Sequence, residues 1–311
     1  MKSKSPRNRH KYLIFLLFLV VLTIVFGLSV AYKPIIIPSL TKKSVSSSLP
    51  RPVLKPVWPV YGSGAVGAKG YDGVLAKYGD QSARPIASLA KIITALVVLQ
   101  KMPLNNEKDG PSIKFTLSDQ EIYNQELAAG AAVKPVSVGG SMTERQALET
   151  MVLPSAANYS ITLANWAYGS VDAYLSAANS WLASHNLIQT KVVDTSGLLS
   201  GNISSPSYLI TIGKLALANS SLASIVAMKQ ATVPNVGIIS NGNGLIGTDG
   251  INGIKTGSTS DAGACILFSS VVTVDNNKVT IIGDLLGADN RGQQNSDVVK
   301  LIDSIRPAFR L

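Results

Sequence analysis

The hydrophobic pattern divides the chain into three stretches of different character. Tyr12–Tyr32 is an unbroken run of 21 uncharged, mostly apolar residues. At 1.5 Å per residue in a helix it is long enough to cross a bilayer core of roughly 30 Å. Residues 33–56 follow with five prolines and the serine run Ser46–Ser48, a composition that builds no core and reads as a tether. From Val57 onward the pattern is globular. Short apolar segments at Val60–Ala68 and Asp72–Lys77, separated by glycine-rich turns, predict a hairpin. Ser88–Gln100 is apolar almost all round and predicts a central buried helix. Thr143–Asn219 alternates Ala- and Leu-rich helical stretches with short loops. Strands return at Cys265–Val274 and Lys278–Leu286 around a turn at Asp275-Asn276-Asn277, and a helix is expected from Gln293 to Ile305. Strands at both ends and helices between them predict one α/β (α+β) domain over 57–311, a sheet assembled from both chain ends with a helical region inserted.

Charge sharpens this division. The formal net charge is +10, yet ten of the 28 Lys/Arg and none of the 18 Asp/Glu fall in the first 55 residues, so the remainder is neutral. The globular part therefore lacks the field that gathers phosphates, and a nucleic-acid partner is not expected. Lys2, Lys4, Arg7, Arg9 and Lys11 precede the apolar run. Residues 1–11 are thus expected in the cytoplasm, 12–32 as a membrane anchor, and the rest outside. The alternative, a cleaved signal peptide, has a small-x-small site at Ser29-Val30-Ala31 and exports the domain equally. The lone cysteine, Cys265, lies in an apolar strand and forms no disulfide framework.

Candidate chemistry begins at the mouth of the buried helix. Ser88 and Lys91, three residues apart, share a helical face, and no acid within the helix pairs the lysine. A desolvated lysine loses its proton readily and can activate a hydroxyl. Lys255-Thr256-Gly257-Ser258 could offer an ammonium and a hydroxyl to a substrate carboxylate, a glycine for close approach, and a backbone N–H for an oxyanion. Ser155 could relay a proton, although a serine at a helix start is ordinarily a cap. With histidines only at His10 and His185, neither a Ser-His-Asp triad nor a zinc site is supported.

In this order Ser88-Leu89-Ala90-Lys91, Ser155-Ala156-Ala157-Asn158 and Lys255-Thr256-Gly257 resemble the S-x-x-K, S-x-N and K-T-G elements of penicillin-binding proteins and serine β-lactamases. Arg84–Leu96, Met151–Ala156, Asp194–Leu198 and Gly253–Thr259 make the chain similar, more narrowly, to the low-molecular-weight D-alanyl-D-alanine carboxypeptidases. The resemblance implies a β-lactamase/DD-peptidase-like fold, an antiparallel sheet with flanking helices. It also implies a serine acyl-enzyme that needs no cofactor or metal, acts on peptidoglycan stem peptides and is inhibited by β-lactams. Ser88, Lys91 and Ser155 are then catalytic. Asn158, Lys255, Thr256, Gly257, Ser258 and Arg291 bind substrate, with Arg291 contacting its carboxylate. One departure stands out: Ala157 occupies the position of the family's asparagine, and Asn158 follows one place later. A residue's shift on a helix turns a side chain by about 100°, which admits a catalytically impaired, peptidoglycan-binding relative as the alternative. A DD-endopeptidase or a β-lactamase of the same fold is the other.

Overall fold

The computed structural model describes residues 51–104, 108–274 and 277–309. The expected anchor at 12–32, most of the tether and two residues of the last hairpin turn lie outside them. Among the described residues no single helix is long and apolar enough to cross a membrane.

The chain runs through β1 (Ser63–Ala68), β2 (Ala76–Tyr78), β3 (Arg84–Pro85), a 3-10 turn at Ala87–Leu89, α1 (Ala90–Lys101), β4 (Ser112–Lys114) and α2 (Leu117–Ala128). Then come β5 (Ser141–Thr143), α3 (Glu144–Val152), α4 (Ala157–Tyr168), α5 (Val171–Ser184), β6 (Ile203–Ser204), α6 (Pro206–Ala218) and α7 (Ser220–Val226). It closes with β7 (Gln230–Val233), β8 (Gly237–Ser240), β9 (Ile251–Thr259), β10 (Gly263–Val274), β11 (Asn277–Ala288) and α8 (Arg291–Ile305). Five strands form one antiparallel sheet in the order β2-β1-β11-β10-β9. The sheet thus joins the two chain ends, as the pattern predicted, and leaves β9 at an edge.

β10 and β11 read as continuous apolar runs because both of their faces are covered. Ala65, Leu267, Ile282 and Leu286 face the inserted helices and pack with α1, whose residues from Ala90 to Leu99 are all buried. Val66, Phe268, Ile281 and Leu285 point the other way, against Val298, Leu301 and Ile302 of α8 and against Phe309. The core is therefore two layers of side chains with the sheet between them.

The hairpin forms, but its second strand begins at Ala76, later than Asp72, because Gly70 and Gly73 turn the chain with positive φ. The last residues of the expected tether also lie against the domain. Arg51 Nη2 donates to the Val74 carbonyl and Leu54 packs on the second layer, and just beyond the tether Trp58 stacks on Tyr78 at 5.5 Å. Helix α2 has no counterpart in the sequence reading. Its capping box at Thr116 and Asp119 is clear, but none of its residues is buried, so no apolar stripe announces it.

Candidate active site

Ser88 lies in the 3-10 turn that leads into α1. The preceding Ala87 is left-handed (φ 47°), and its carbonyl faces Gly197, where an added Cβ would lie 1.9 Å from that oxygen. The Asp194–Leu199 loop that carries Gly197 is organised by one carboxylate. Asp194 Oδ1 accepts from the Ser196 and Gly197 amides, both at 2.6 Å, and Oδ2 accepts from the Leu199 amide and Asn202 Nδ2, both at 2.8 Å. An aspartate that gathers the amides following it is an Asx turn. Here it turns the Ser196 carbonyl toward Lys91.

Lys91 follows Ser88 by almost one helical turn. Its Nζ is 3.1 Å from Ser88 Oγ and 2.7 Å from the Ser196 carbonyl oxygen. Burial lowers its pKa to about 8, with the charges of Asp194 and Glu126 pulling the other way. A nitrogen that exists partly as the free amine near neutrality, in contact with a hydroxyl, can remove that hydroxyl's proton.

The edge strand β9 closes the other side. It approaches the nucleophile turn so closely that a Cβ on Gly257 would lie 2.6 Å from the Ser88 amide nitrogen. Thr256 and Ser258, two apart on one strand face, line a cavity of about 330 Å³ together with Ser88, Lys91, Ser155 and Arg291. The cavity wall is completed by Gly130–Ala132, Ala157 and Leu198. Lys255 is behind this wall: its Nζ donates to the Thr256 carbonyl at 2.9 Å. Burial pushes its pKa well down, and the positive charges of Lys91 and Arg291 push it further. Arg291, the first residue of α8, is exposed at the cavity rim. Lys91 and Arg291 thus line the cavity itself, and Lys255 backs it from behind β9.

Ser155 has φ 65° and is not the cap of α4, since that position belongs to Ala156, which makes no side-chain capping bond. The ordinary explanation for a serine here therefore falls away. Asn158 is different. Its side chain is buried away from the cavity and holds the backbone of Lys134, donating to the carbonyl at 2.8 Å and accepting from the amide at 3.1 Å. The sequence placed it with the substrate-binding residues, but one further residue along α4 turns it to the far side, and Ala157 faces the cavity instead. Sequence reasoning also passed over the Ser196 carbonyl and Glu126, which act on Lys91 from other elements. The Asp-Thr-Ser-Gly turn was the one available signal, and only for the first. Among the described residues no three His, Cys, Asp or Glu side chains gather as metal ligands would.

The chain is similar to known proteins in sequence and in fold. The sequence pattern described as peptidase S11, D-alanyl-D-alanine carboxypeptidase, matches residues 70–290. A D-alanyl-D-alanine carboxypeptidase of Streptomyces sp. strain K15 is 29% identical over 238 residues, 71% of this chain and 78% of that protein. The D-alanyl-D-alanine carboxypeptidase DacA of Escherichia coli is 25% identical over 233 residues, 74% of this chain but only 56% of its own length. The crystal structure of the Streptomyces K15 DD-transpeptidase superposes with a TM-score of 0.68 at 25% identity, covering 82% of this chain and 98% of the other. The fold, the Ser88–Lys91 pair beside β9 and a family match over more than two thirds of the sequence lead to one assignment: this chain belongs to the D-alanyl-D-alanine carboxypeptidase family.

Proposed function

We propose that the domain cleaves the terminal D-Ala-D-Ala bond of peptidoglycan stem peptides through an acyl-enzyme on Ser88. The observation that carries this reading is the 3.1 Å contact between Ser88 Oγ and a buried Lys91, at the base of a cavity walled by Thr256 and Ser258. Neutral Lys91 takes the Ser88 proton as Oγ attacks the penultimate D-alanine carbonyl. The backbone amides of Ser88 and Ser258 hold the oxyanion, an arrangement that the close approach of Gly257 supports. As the C–N bond breaks, the leaving amine receives a proton through Ser155, and water later hydrolyses the ester with Lys91 again as base. Arg291 and Thr256 hold the terminal carboxylate, with Lys255 behind them fixing the Thr256 carbonyl. β-Lactams acylate the same oxygen. Residues 12–32 anchor the domain outside the membrane, where this substrate lies.

The test is release of D-alanine from an N-acylated tripeptide ending in D-Ala-D-Ala. The wild-type domain should release it, and the Ser88→Ala variant should not. No release by a folded wild-type domain that still binds the peptide would favour the second reading, a binding relative with impaired turnover. The turned-away Asn158 and the cavity-facing Ala157 are what give that reading weight.

A further inference from the structure

Lys91 has two hydrogen-bond partners, Ser88 Oγ and the Ser196 carbonyl, neither of them charged. Two carboxylates, Asp194 and Glu126, act on it electrostatically and favour its charged form, while its own charge acts on Lys255. The two acids are not equivalent. Both oxygens of Asp194 are occupied by the amides and the asparagine of its own loop, so its role is to shape that loop. Glu126 is the other case: its Oε2 is shut off from solvent and, among the described residues, has no hydrogen-bond partner.

The position of Glu126 is tied to the cavity by backbone bonds. It lies in the last turn of α2, and its carbonyl accepts from the Ala131 amide at 3.0 Å, which folds Gly130–Ala132 into the cavity wall. Ala132 in turn accepts from the Ala157 amide at 2.7 Å, at the start of α4. The helix end that carries Glu126 is therefore fastened to the same corner of the site where position 157 offers only a methyl group. A desolvated carboxylate oxygen without a donor is costly. Burial raises the Glu126 pKa and the like charge of Asp194 raises it further, while Lys91, of opposite charge, draws it back down and favours the ionised carboxylate.

We propose that Glu126 is a positioning residue for the Ser88–Lys91 pair: its carboxylate supports the positive charge on Lys91 and so governs how readily that nitrogen yields its proton. The inference rests on the proposed role of Lys91 as base. Neutralising Glu126 makes the ammonium easier to deprotonate, which moves the acidic limb of acylation toward lower pH. Because the Glu126 side chain is partly open to solvent, screening holds the shift to about 0.5–1 pH unit. Below the wild-type midpoint, the Glu126→Gln enzyme should therefore acylate roughly three- to tenfold faster than wild type.

The experiment is the second-order rate of labelling by a fluorescent penicillin from pH 5.5 to 10, on the wild type and the Gln, Ala and Asp variants at 126. Glu121→Gln, an exposed acid of the same helix, serves as control, and thermal melts check folding. The inference expects the limb to move down for Gln and Ala and to stay near the wild type for Asp and for the control. A uniform loss of rate with an unmoved limb, or equal behaviour of Asp and Ala, overturns it. If the wild type itself fails to label at any pH, the base role of Lys91 fails with it; a labelled wild type with an unmoved limb refutes only the role of Glu126.

Discussion

Gly257→Ala is the substitution whose consequence can be worked out most fully. The new methyl would lie 2.6 Å from the Ser88 amide nitrogen, 3.0 Å from Ala87 Cβ and 3.2 Å from Ser88 Cα. Two of the three are backbone atoms, so no flexible side chain can move aside. Ordinary contact begins near 3.4 Å, so either β9 or the nucleophile turn must retreat by most of an ångström. β9 is an edge strand held on one side only, by β10, and is the more able to yield. Its retreat costs about 1–3 kcal/mol of stability, the usual range for overpacking. The catalytic consequence is larger under the proposed mechanism, in which the Ser258 amide shares the oxyanion with the Ser88 amide and would retreat with β9. Removing one oxyanion donor typically costs about 10²–10³ in rate. The assay is the second-order rate of penicillin acylation beside a thermal melt. The control is Gly244→Ala, where an added Cβ meets nothing within 4 Å. A variant that melts a few degrees lower but acylates within threefold of wild type would refute the claim that β9 supplies part of the oxyanion site.

Two further perturbations test other parts of the account. Asp284 is fully buried on β11 between Ala65 and Leu267, neither of its oxygens has a side-chain hydrogen-bond partner among the described residues, and burial raises its pKa well above the ordinary value. The folded state therefore keeps its proton where the unfolded chain has lost it. The stability contribution is fullest below the unfolded value of about 4 and falls as pH rises toward the folded value. Asp284→Asn should remove this decline, so melting temperatures of variant and wild type should diverge from pH 4 to pH 8; parallel curves would contradict it. Asn158→Ala removes two bonds to the Lys134 backbone and should destabilise by about 1–3 kcal/mol. Its acylation rate should change far less than its melt, and a large selective loss of rate would instead return Asn158 to the substrate-binding set.

The elements read correctly from the sequence are those whose signal is local. Ser88 and Lys91 are paired by helical spacing alone, and α1 shows itself because every face of it is buried. β10 and β11 show themselves as apolar runs, and Thr256 and Ser258 share the cavity because alternate strand residues share a face. What escaped depends on contacts distant in sequence. The Ser196 carbonyl reaches Lys91 across 105 positions, through a loop that an aspartate holds together. Helix α2 carries Glu126 but lacks an apolar stripe, so hydrophobic pattern alone could not find it. Asn158 misled because motif spacing treats neighbouring residues as interchangeable, while the first turn of a helix points them about 100° apart.

The central claim is that Ser88 is an activated nucleophile, and intact-protein mass spectrometry after exposure to benzylpenicillin tests it most directly. The expected result is a mass increase of one penicillin, mapped by peptide digestion to Ser88 and absent from the Ser88→Ala variant. An unmodified mass on a folded wild-type domain, or an adduct that survives in Ser88→Ala, would contradict it.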